Sequence, residues 1–599
     1  MTDLPKKIFF VAMLGVALLQ AFAYNTAAYS TDDCAYLDQA VLFAQFDFKQ
    51  AVNTYWSPLY PFLLGMMLKV FQPPLAQQLM AVKLFNVAVL ALTLTSFNFF
   101  FSRFYPYQKT VGVADGDADE VSAEANNATL SQTKWFTLAA LLFSWTFLYV
   151  GGVQQATPDY LVSASLFFAT GIAIDIWKRP SLQRFPLLGT VLSIGYLAKA
   201  SMIPSMVILI LLTAYKMPRI KDKLVSAAIA FLCVVLIALP YWTALSIKTG
   251  SLSIGSSAGL NYMLWVNPGY SLLGNNKPEV EKQLAHPMVS LSEKPDIVVF
   301  EDVLPATFPP WFDPGYFAQG LKTVFSPAGS ALALVLNAVY LFCLFGWQLV
   351  AIILAGRLVA QKRSIKVAGW EKSLILWLPS VMTTIGICLV ISLPSGFSTP
   401  RYFASTVVLV YLSYFALTKF PNDARGQRAL NASFITACFI SGAFLIYGIN
   451  CDAMRLIRGR VDQPLNVALS LHEMGLNPGD KVVLIGKECG EWARIAGLRI
   501  AAIVVTDTSD QTTDDVTYVH WILEKLKAGT GAKAAVYFPD PISDNLVEEE
   551  ALIKGYREFF TSVTGIKLAS PPRRSKFNEE SLREWKKVKG TECYVYLLH

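Results

Sequence analysis

The sequence predicts an α-helical polytopic membrane protein of about 11 transmembrane helices, followed by a C-terminal extracytoplasmic α/β domain. Three observations predict this class. Hydrophobic residues fill 54% of the 599 positions and charged residues only 16%, where an average soluble domain carries about 25% charge. Apolar runs near span length recur through residues 1–450, and basic residues gather in alternate loops between them. Beyond residue 450 the pattern changes to short apolar strands alternating with helical stretches. The composition excludes intrinsic disorder, a collagen-like chain and a disulfide-dense secreted scaffold for the bulk of the chain.

A hydrocarbon core of about 30 Å takes roughly 20 apolar residues in a helix. Runs of that kind lie near 8–28, 80–102, 135–151, 158–177, 186–200, 201–216, 224–246, 328–356, 373–393, 403–420 and 430–449. The first follows Lys6 and Lys7 and has no small-x-small cleavage site before Tyr24-Asn25, so it reads as a retained anchor. With a cytoplasmic N-terminus, the inside loops hold Lys6 and Lys7, then Arg103, Lys109 and Lys134, then Lys178, Arg179 and Arg184. Further along they hold Lys216, Arg219, Lys221 and Lys223, then Arg357, Lys362, Arg363, Lys366 and Lys372, then Lys419, Arg425 and Arg428. The short outside loops hold little beyond Lys49 and Arg401. This positive-inside bias explains much of the net charge of +7 without nucleic acid. The stretch 111–129 reads as a polar, acidic inside loop, and no internal repeat of the transporter kind is found.

The resulting organisation is a transmembrane catalytic domain over 1–450, with outside loops at 29–79 and 247–327, and a small extracytoplasmic α/β domain over 451–599. In the latter, strands are expected at Val482–Ile485, Ile500–Val505, Ala534–Phe538 and Tyr594–Leu598, with a helix over Val516–Leu526. Eight scattered cysteines without a CxxC pair, and only four histidines (His286, His472, His520, His599), give no metal-cluster or redox motif. Cys451, Cys489 and Cys593 fall outside the membrane, where a disulfide is compatible but its pairing is unreadable. Asn127 and Asn431, the Asn-x-Ser/Thr sites, map to the inside or to a span, which agrees with a bacterial inner membrane.

The first outside loop is the most informative segment. Ser30-Thr31-Asp32-Asp33-Cys34-Ala35-Tyr36 leads an amphipathic stretch, and Asn53-Thr54-Tyr55-Trp56-Ser57-Pro58-Leu59-Tyr60-Pro61 follows. An apolar run of about fifteen residues comes next, short for a span and suited to an interfacial helix. Ser30 and Asp33 have capping-box spacing, which accounts for one acid but not for the pair. Two carboxylates just outside a membrane can act as a general base or hold a cation. Asp32 and Tyr36, four apart, share a helical face.

These residues resemble the GT-C superfamily of membrane glycosyltransferases, and within it the protein mannosyltransferase and aminoarabinose transferase group. That group shows Asp-Glu-x-x-Tyr after the first span and then a Pro-Pro-Leu-Tyr element. Here Asp32-Asp33-x-x-Tyr36 and Trp56-Ser57-Pro58-Leu59-Tyr60-Pro61 take those places. Thr157-Pro158-Asp159, Leu197-Ala198-Lys199, Pro309-Pro310-Trp311-Phe312-Asp313-Pro314 and Pro400-Arg401-Tyr402 follow in matching order and sidedness, over roughly residues 8–420.

The resemblance implies a GT-C-like fold and transfer of a sugar from a polyprenyl-phosphate donor to an acceptor hydroxyl, typically with inversion. The acceptor would be a glycan, lipid or protein, with membrane lipid as surroundings and no nucleic acid partner. In that scheme Asp32 matches the base, and Asp33, where the family has Glu, would orient the acceptor or a cation. Lys199 and Arg401 are the candidates for the donor phosphate. For Lys199, snorkelling at a span end is the competing reading. Arg401 lies at a helix start, where the dipole disfavours a cation and calls for an anionic partner. Asp159 either organises the site or caps a helix after Pro158. Tyr55, Trp56 and Tyr60, with Tyr36 and Tyr402, are expected to contact substrate, against interfacial anchoring as the other reading of the aromatics. His286 and Glu301 either touch the acceptor or are solvated. No cofactor is specified. A divalent cation is compatible, with Asp32, Asp33 and Asp159 as its ligands.

One departure stands out. Many relatives carry Lys or His before the Pro-Leu-Tyr element, and this chain has Ser57. The phosphate then falls to Lys199 and Arg401, with Lys83 in reserve. A transporter or flippase, or a polymerase or ligase of lipid-linked glycans, is the alternative class. A transporter would favour ionisable groups at the midplane and repeated broken helices, and this chain places its acids in an outside loop. The tail's Ile485-Gly486-Lys487-Glu488 lacks a nucleotide-binding glycine pattern, and the tail is expected to recognise the acceptor or cap the site.

Overall fold

A computed structural model gives the structure of the chain. It describes all residues except 1–2, 26–30, 110–126, 267–287, 294–295, 301–305, 319–322, 362–364, 368–369, 392–398, 459–462, 487–489, 506–515, 540–576, 578–581, 590, 592 and 599. Ser30, His286, Glu301 and Cys489 therefore lie outside the described residues, as does most of the acidic loop.

The apolar runs fold as helices because nothing in them satisfies backbone polar groups except the helix itself. α1 (Asp3–Ala23) is followed by three helices that precede the second long span, α2 (Thr31–Ala44), the single turn α3 (Phe48–Ala51) and α4 (Leu59–Phe71). Next come α5 (Gln78–Gln108), α6 (Gln132–Trp145), α7 (Asp159–Lys178), α8 (Phe185–Ala198), α9 (Ile203–Tyr215) and α10 (Ile220–Thr249). Short helices α11 (Ser257–Trp265), α12 (Pro309–Phe312) and α13 (Gly315–Ala318) follow α10. α14 (Pro327–Leu341), α15 (Trp347–Ala360), α16 (Trp370–Val390), α17 (Ala404–Leu417) and α18 (Ala424–Arg458) complete the bundle. Ser131 and Ser326 start α6 and α14 by accepting from the N–H groups of Lys134 and Gly329.

Helix forms at all eleven expected positions, but only eight segments among the described residues are long and apolar enough to cross a membrane. These make the chain an integral membrane protein. The other three, α8, α9 and α17, have 14, 13 and 14 residues, short of the roughly 20 that a span takes. The reason is local. Lys199 adopts an extended backbone between α8 and α9, and Pro204 opens α9. A 3-10 turn, Thr399–Phe403, occupies the space before α17. α4, at 13 residues, is the short apolar helix expected at the interface. The outward faces of α10, α14 and α18 expose Leu232, Leu236, Val335, Ile435 and Phe439, as helices in lipid must.

Close approach positions the segment between α1 and α5. A Cβ on Gly65 of α4 would collide with the Ala40 carbonyl of α2, so the two helices touch backbone to backbone. α7 lies against α5 through Phe167, Phe97 and Phe100, with ring centroids 5.3 and 5.7 Å apart. α6 ends in a π-helical turn, Thr146–Gly151, closed by Gly152 at φ 78°. The loop that follows reaches Asp159.

The C-terminal region forms a seven-stranded sheet in the order β1-β2-β6-β5-β7-β9-β8. β5 (Lys481–Ile485), β6 (Arg499–Val505), β7 (Ala534–Tyr537) and β9 (Tyr594–Leu597) are the four expected strands, and β8 (Lys586–Lys587) adds an edge. β5 pairs in parallel with β6 and β7. β1 (Met288–Glu293) and β2 (Asp296–Phe300) come from the segment between α10 and α14, and β2 pairs antiparallel with β6. The pleat buries both faces. Val483 and Ile485 face a core that includes Ile522 and Leu526 of α21 (Val516–Thr530). Val482 and Leu484 face Leu471 of α19 (Gln463–Glu473) and Trp492 of α20 (Glu491–Ala496), in a core continuous with the helical bundle. A separate two-stranded ladder joins β3 (Lys366–Val367) to β4 (Thr418–Lys419).

Candidate active site

Four charged side chains, drawn from residues 369 apart in sequence, meet where α2, α7, the α8–α9 break and the turn before α17 converge. Arg401 is at the centre. Its Nη2 donates to Asp32 Oδ2 at 2.6 Å, its Nε lies 3.1 Å from Asp159 Oδ2, and its Nη1 donates to Gln155 Oε1. Asp159 Oδ1 accepts from Lys199 Nζ at 2.7 Å. Two carboxylates and two cations thus form one neutral chain, Asp32–Arg401–Asp159–Lys199. The Lys199 ammonium stands 3.7 Å over the Tyr402 ring, with Arg401 5.2 Å from the same ring.

Local structure explains each placement. Asp32 and Asp33 occupy the first turn of α2, where the free N–H groups favour anions. Pro158 precedes α7 and makes no side-chain cap, and Asp159 in the first turn spends its oxygens on Lys199 and Arg401. Lys199 projects from the break because an extended residue between two helices leaves the helical side-chain rows. The Arg401 side chain is only 3% exposed, whereas those of Asp32 and Lys199 are 21% and 22% exposed. The accessible edge of the network therefore carries one carboxylate and one ammonium.

Asp33 points elsewhere. It is buried and accepts from the Ala156 N–H at 2.6 Å, tying α2 to the loop before α7. Tyr36 and Tyr60 are buried with ring centroids 5.2 Å apart, and Trp56 lies 4.9 Å from Tyr36. Trp56 Nε1 donates to the Trp311 carbonyl at 3.1 Å, Tyr60 Oη to Asn86 Oδ1 at 2.8 Å and Tyr55 Oη to Asn261 Oδ1 at 2.9 Å. Burial, then the Asp32 charge, pushes the phenols of Tyr36 and Tyr55 up, so both stay protonated. Ser57 Oγ accepts from the Ala200 N–H at 3.2 Å, beside the break that carries Lys199. Lys83 is buried and donates to the Asn25 and Leu79 carbonyls at 3.3 and 3.5 Å.

Several partners had no sequence expectation. Gln155 meets Arg401. Asn86 donates to the Val153 carbonyl at 2.9 Å and to the Gln155 carbonyl at 2.5 Å. Gln20 accepts from the Val153 N–H at 2.8 Å and donates to the Leu148 carbonyl at 2.9 Å. Asn86 and Gln20 thereby clamp the loop that presents Ala156 and Gln155. Their one sequence signal is an amide inside an apolar helix, which a membrane keeps only for a purpose.

Behind Arg401 a cavity of about 20 Å³ is lined by Asp159, Ser201, Ser205, Ser380, Thr383 and Ser405 among others. That volume admits a water molecule but no sugar. Among the described residues no group of three or more His, Cys, Asp or Glu is placed to hold a metal ion. The oxygens of Asp32 and Asp159 face Arg401 and Lys199 instead. Cys451 and Cys593 are free thiols, the first exposed and the second buried.

No family model matches the chain, and no curated protein does. Among solved structures it is similar to the crystal structure of ArnT from Cupriavidus metallidurans bound to undecaprenyl phosphate. The TM-score is 0.47 at 9% identity, covering 100% of this chain and 99% of that one.

Proposed function

We propose that this chain is a membrane glycosyltransferase that moves a sugar from a polyprenyl-phosphate donor to an acceptor hydroxyl, with inversion and with Asp32 as general base. The observation that carries the proposal is the pairing of Asp32 with Arg401 at the accessible edge of the buried ion network. In the resting protein the base is masked by that cation. A donor phosphate brings more negative charge to Arg401 and Lys199 than one carboxylate does, so it competes for Arg401 and releases Asp32. The base thus becomes available when the leaving group is in place.

The acceptor oxygen then attacks the anomeric carbon, Asp32 takes the hydroxyl proton, and the sugar–phosphate C–O bond breaks. The polyprenyl phosphate departs with its charge held by Arg401 and Lys199. A single displacement of this kind inverts the anomeric centre. Asp159 keeps both cations aimed at one point, and the protonated Tyr36 and Tyr55 flank the base. The positive-inside bias supports a location of the network on the outer face of a bacterial inner membrane, with the C-terminal unit on the same side.

The test is transfer from radiolabelled polyprenyl-phosphate sugars in proteoliposomes. Asp32→Asn is expected to lower kcat by ~10²–10⁴-fold. Undiminished transfer by that variant refutes the base, and absence of transfer by the wild type from any lipid donor refutes the activity.

A further inference from the structure

We infer that the C-terminal α/β unit contributes a positioning residue to this site: Arg494, which holds the base-bearing helix α2 in place through a buried ion pair with Asp38. What α2 does rests on the transferase reading above; the coupling rests on geometry. Asp32 and Asp38 share α2, separated by about 9 Å along its axis and roughly 240° around it. One side of the helix meets Arg401. A different side meets α20.

The ion-pair and hydrogen-bond partners of Asp38 on that second side come from distant chain. Oδ1 lies 3.1 Å from Arg494 Nε and accepts from Thr307 Oγ1 at 3.0 Å, while Oδ2 accepts from the Thr307 N–H at 2.7 Å. Asp38 and Arg494 are 7% and 8% exposed. Arg494 Nη2 also donates to Gln78 Oε1 at 2.6 Å, at the start of α5. The Thr307 carbonyl accepts from the Ile500 N–H of β6 at 2.8 Å. The second outside loop is thus pinned between α2 and the sheet. Burial raises the Asp38 pKa, and the Arg494 guanidinium is the largest influence opposing it.

The opposite wall of α2 is already close-packed, since Gly65 of α4 meets the Ala40 backbone. Between that wall and the Asp38 anchor the helix has one rotational setting, and in it Asp32 reaches Arg401 at 2.6 Å. Without Arg494, Asp38 loses its ion-pair partner and keeps only the weaker attraction of Arg499, and turning α2 toward solvent is the available relief. That turn moves Asp32. A displacement of about 1 Å at a reacting group costs ~10²-fold in rate. A domain that merely covers the site predicts no such sensitivity at a single ion pair.

The experiment uses the full chain in lipid nanodiscs. It compares wild type, Arg494→Met, the double variant Asp38→Asn with Arg494→Met, and Asp480→Asn as a control in the same unit. Amide exchange across 31–44 is expected to quicken about tenfold in Arg494→Met. Removing both charges restores most of the protection, and the control leaves it unchanged. In the transfer assay Arg494→Met loses ~100-fold in kcat with donor KM changed less than about twofold, and the double variant recovers part of the loss.

Unchanged exchange in α2 with β5 and β7 still protected overturns the inference, as does an equal loss in single and double variants. If Arg494→Met unfolds the sheet, Arg494→Lys replaces it. Because it keeps the charge but lacks the planar fork, α2 protection is then expected to fall between wild type and a single Asp38→Asn variant measured beside it, and wild-type protection and kcat would overturn the inference. Should wild type transfer no sugar, the transferase reading falls while the exchange arm still decides the coupling.

Discussion

Replacing Arg401 by Lys keeps one positive charge at the centre of the network and removes the planar fork. The guanidinium touches three partners at once: Asp32 at 2.6 Å, Asp159 at 3.1 Å, and Gln155. A single ammonium, with shorter reach and no fork, can serve one or two of them. Each close charge contact gains roughly 4 kcal/mol at an effective dielectric of about 20, before desolvation is subtracted. Asp159 keeps Lys199 at 2.7 Å, so the residual imbalance falls mainly on Asp32. Asp32 is one-fifth exposed and recovers part of its hydration. The net cost to stability is then about 1–2 kcal/mol, below the ~3–5 kcal/mol of an outright broken buried pair. Catalysis loses more, because a preorganised donor aimed at developing charge is worth ~10²–10³-fold. Arg401→Lys is therefore expected to unfold in detergent only a few degrees below wild type while kcat/KM for the lipid donor falls ~10²-fold. Wild-type kcat/KM in Arg401→Lys, with the stability loss present, would refute the role of the fork. A collapse of the fold by more than about 5 kcal/mol would show Arg401 to be chiefly structural.

Three further outcomes follow from the geometry. Asn86→Leu strands the Val153 and Gln155 carbonyls and the Tyr60 hydroxyl, so it should cost about 2 kcal/mol or more in thermal unfolding and should loosen exchange at 152–157. A variant as stable as wild type would show that the loop is held without Asn86. Gly65→Leu inserts a side chain where α4 meets the Ala40 carbonyl, and about 1–3 kcal/mol of overpacking should appear as a lowered unfolding midpoint. Asp480 accepts from the Asn477 N–H at 2.8 Å and from Lys533 at 2.7 Å, which hold its pKa below the ordinary carboxylate value. A lowered native pKa means that this contribution is present above the unfolded value of about 3.9 and is lost as pH falls through the depressed one. Lys533 is half exposed, so the amplitude stays below about 1 kcal/mol. Exchange at β5, followed from pH 5 downward, should weaken more in wild type than in Asp480→Asn, and parallel curves would count against the linkage.

Much of the bundle was legible because a helix in lipid is specified by a local property, the length and apolarity of one run. The same local logic placed four strands in the tail. The count of spans lies beyond that logic, since whether a 14-residue helix crosses depends on its neighbours and on breaks such as Lys199. In the site, Asp32, Asp159, Lys199 and Arg401 drew notice because charges are scarce beside the membrane on the side away from the basic loops. The sequence could not say that Asp33 turns inward to Ala156, or that Trp56 and Tyr60 lie in a packed core and not on an open groove wall. An acid in a first helical turn and an aromatic in an outside loop look alike whichever way they face.

Composition, run length and charge alternation determined, from the sequence alone, a helical membrane protein with a small α/β unit and a short roster of charged candidates. Each is a sum over neighbouring residues and needs no knowledge of partners. The tertiary structure decided which candidates meet. It joined Asp32 to Arg401 across 369 positions, paired β2 with β6 across some two hundred, and set Arg494 against Asp38. Those contacts depend on helix rotation, strand register and chain topology. Sequence periodicity specifies which face of an element is apolar, but carries no information on which distant face it will meet.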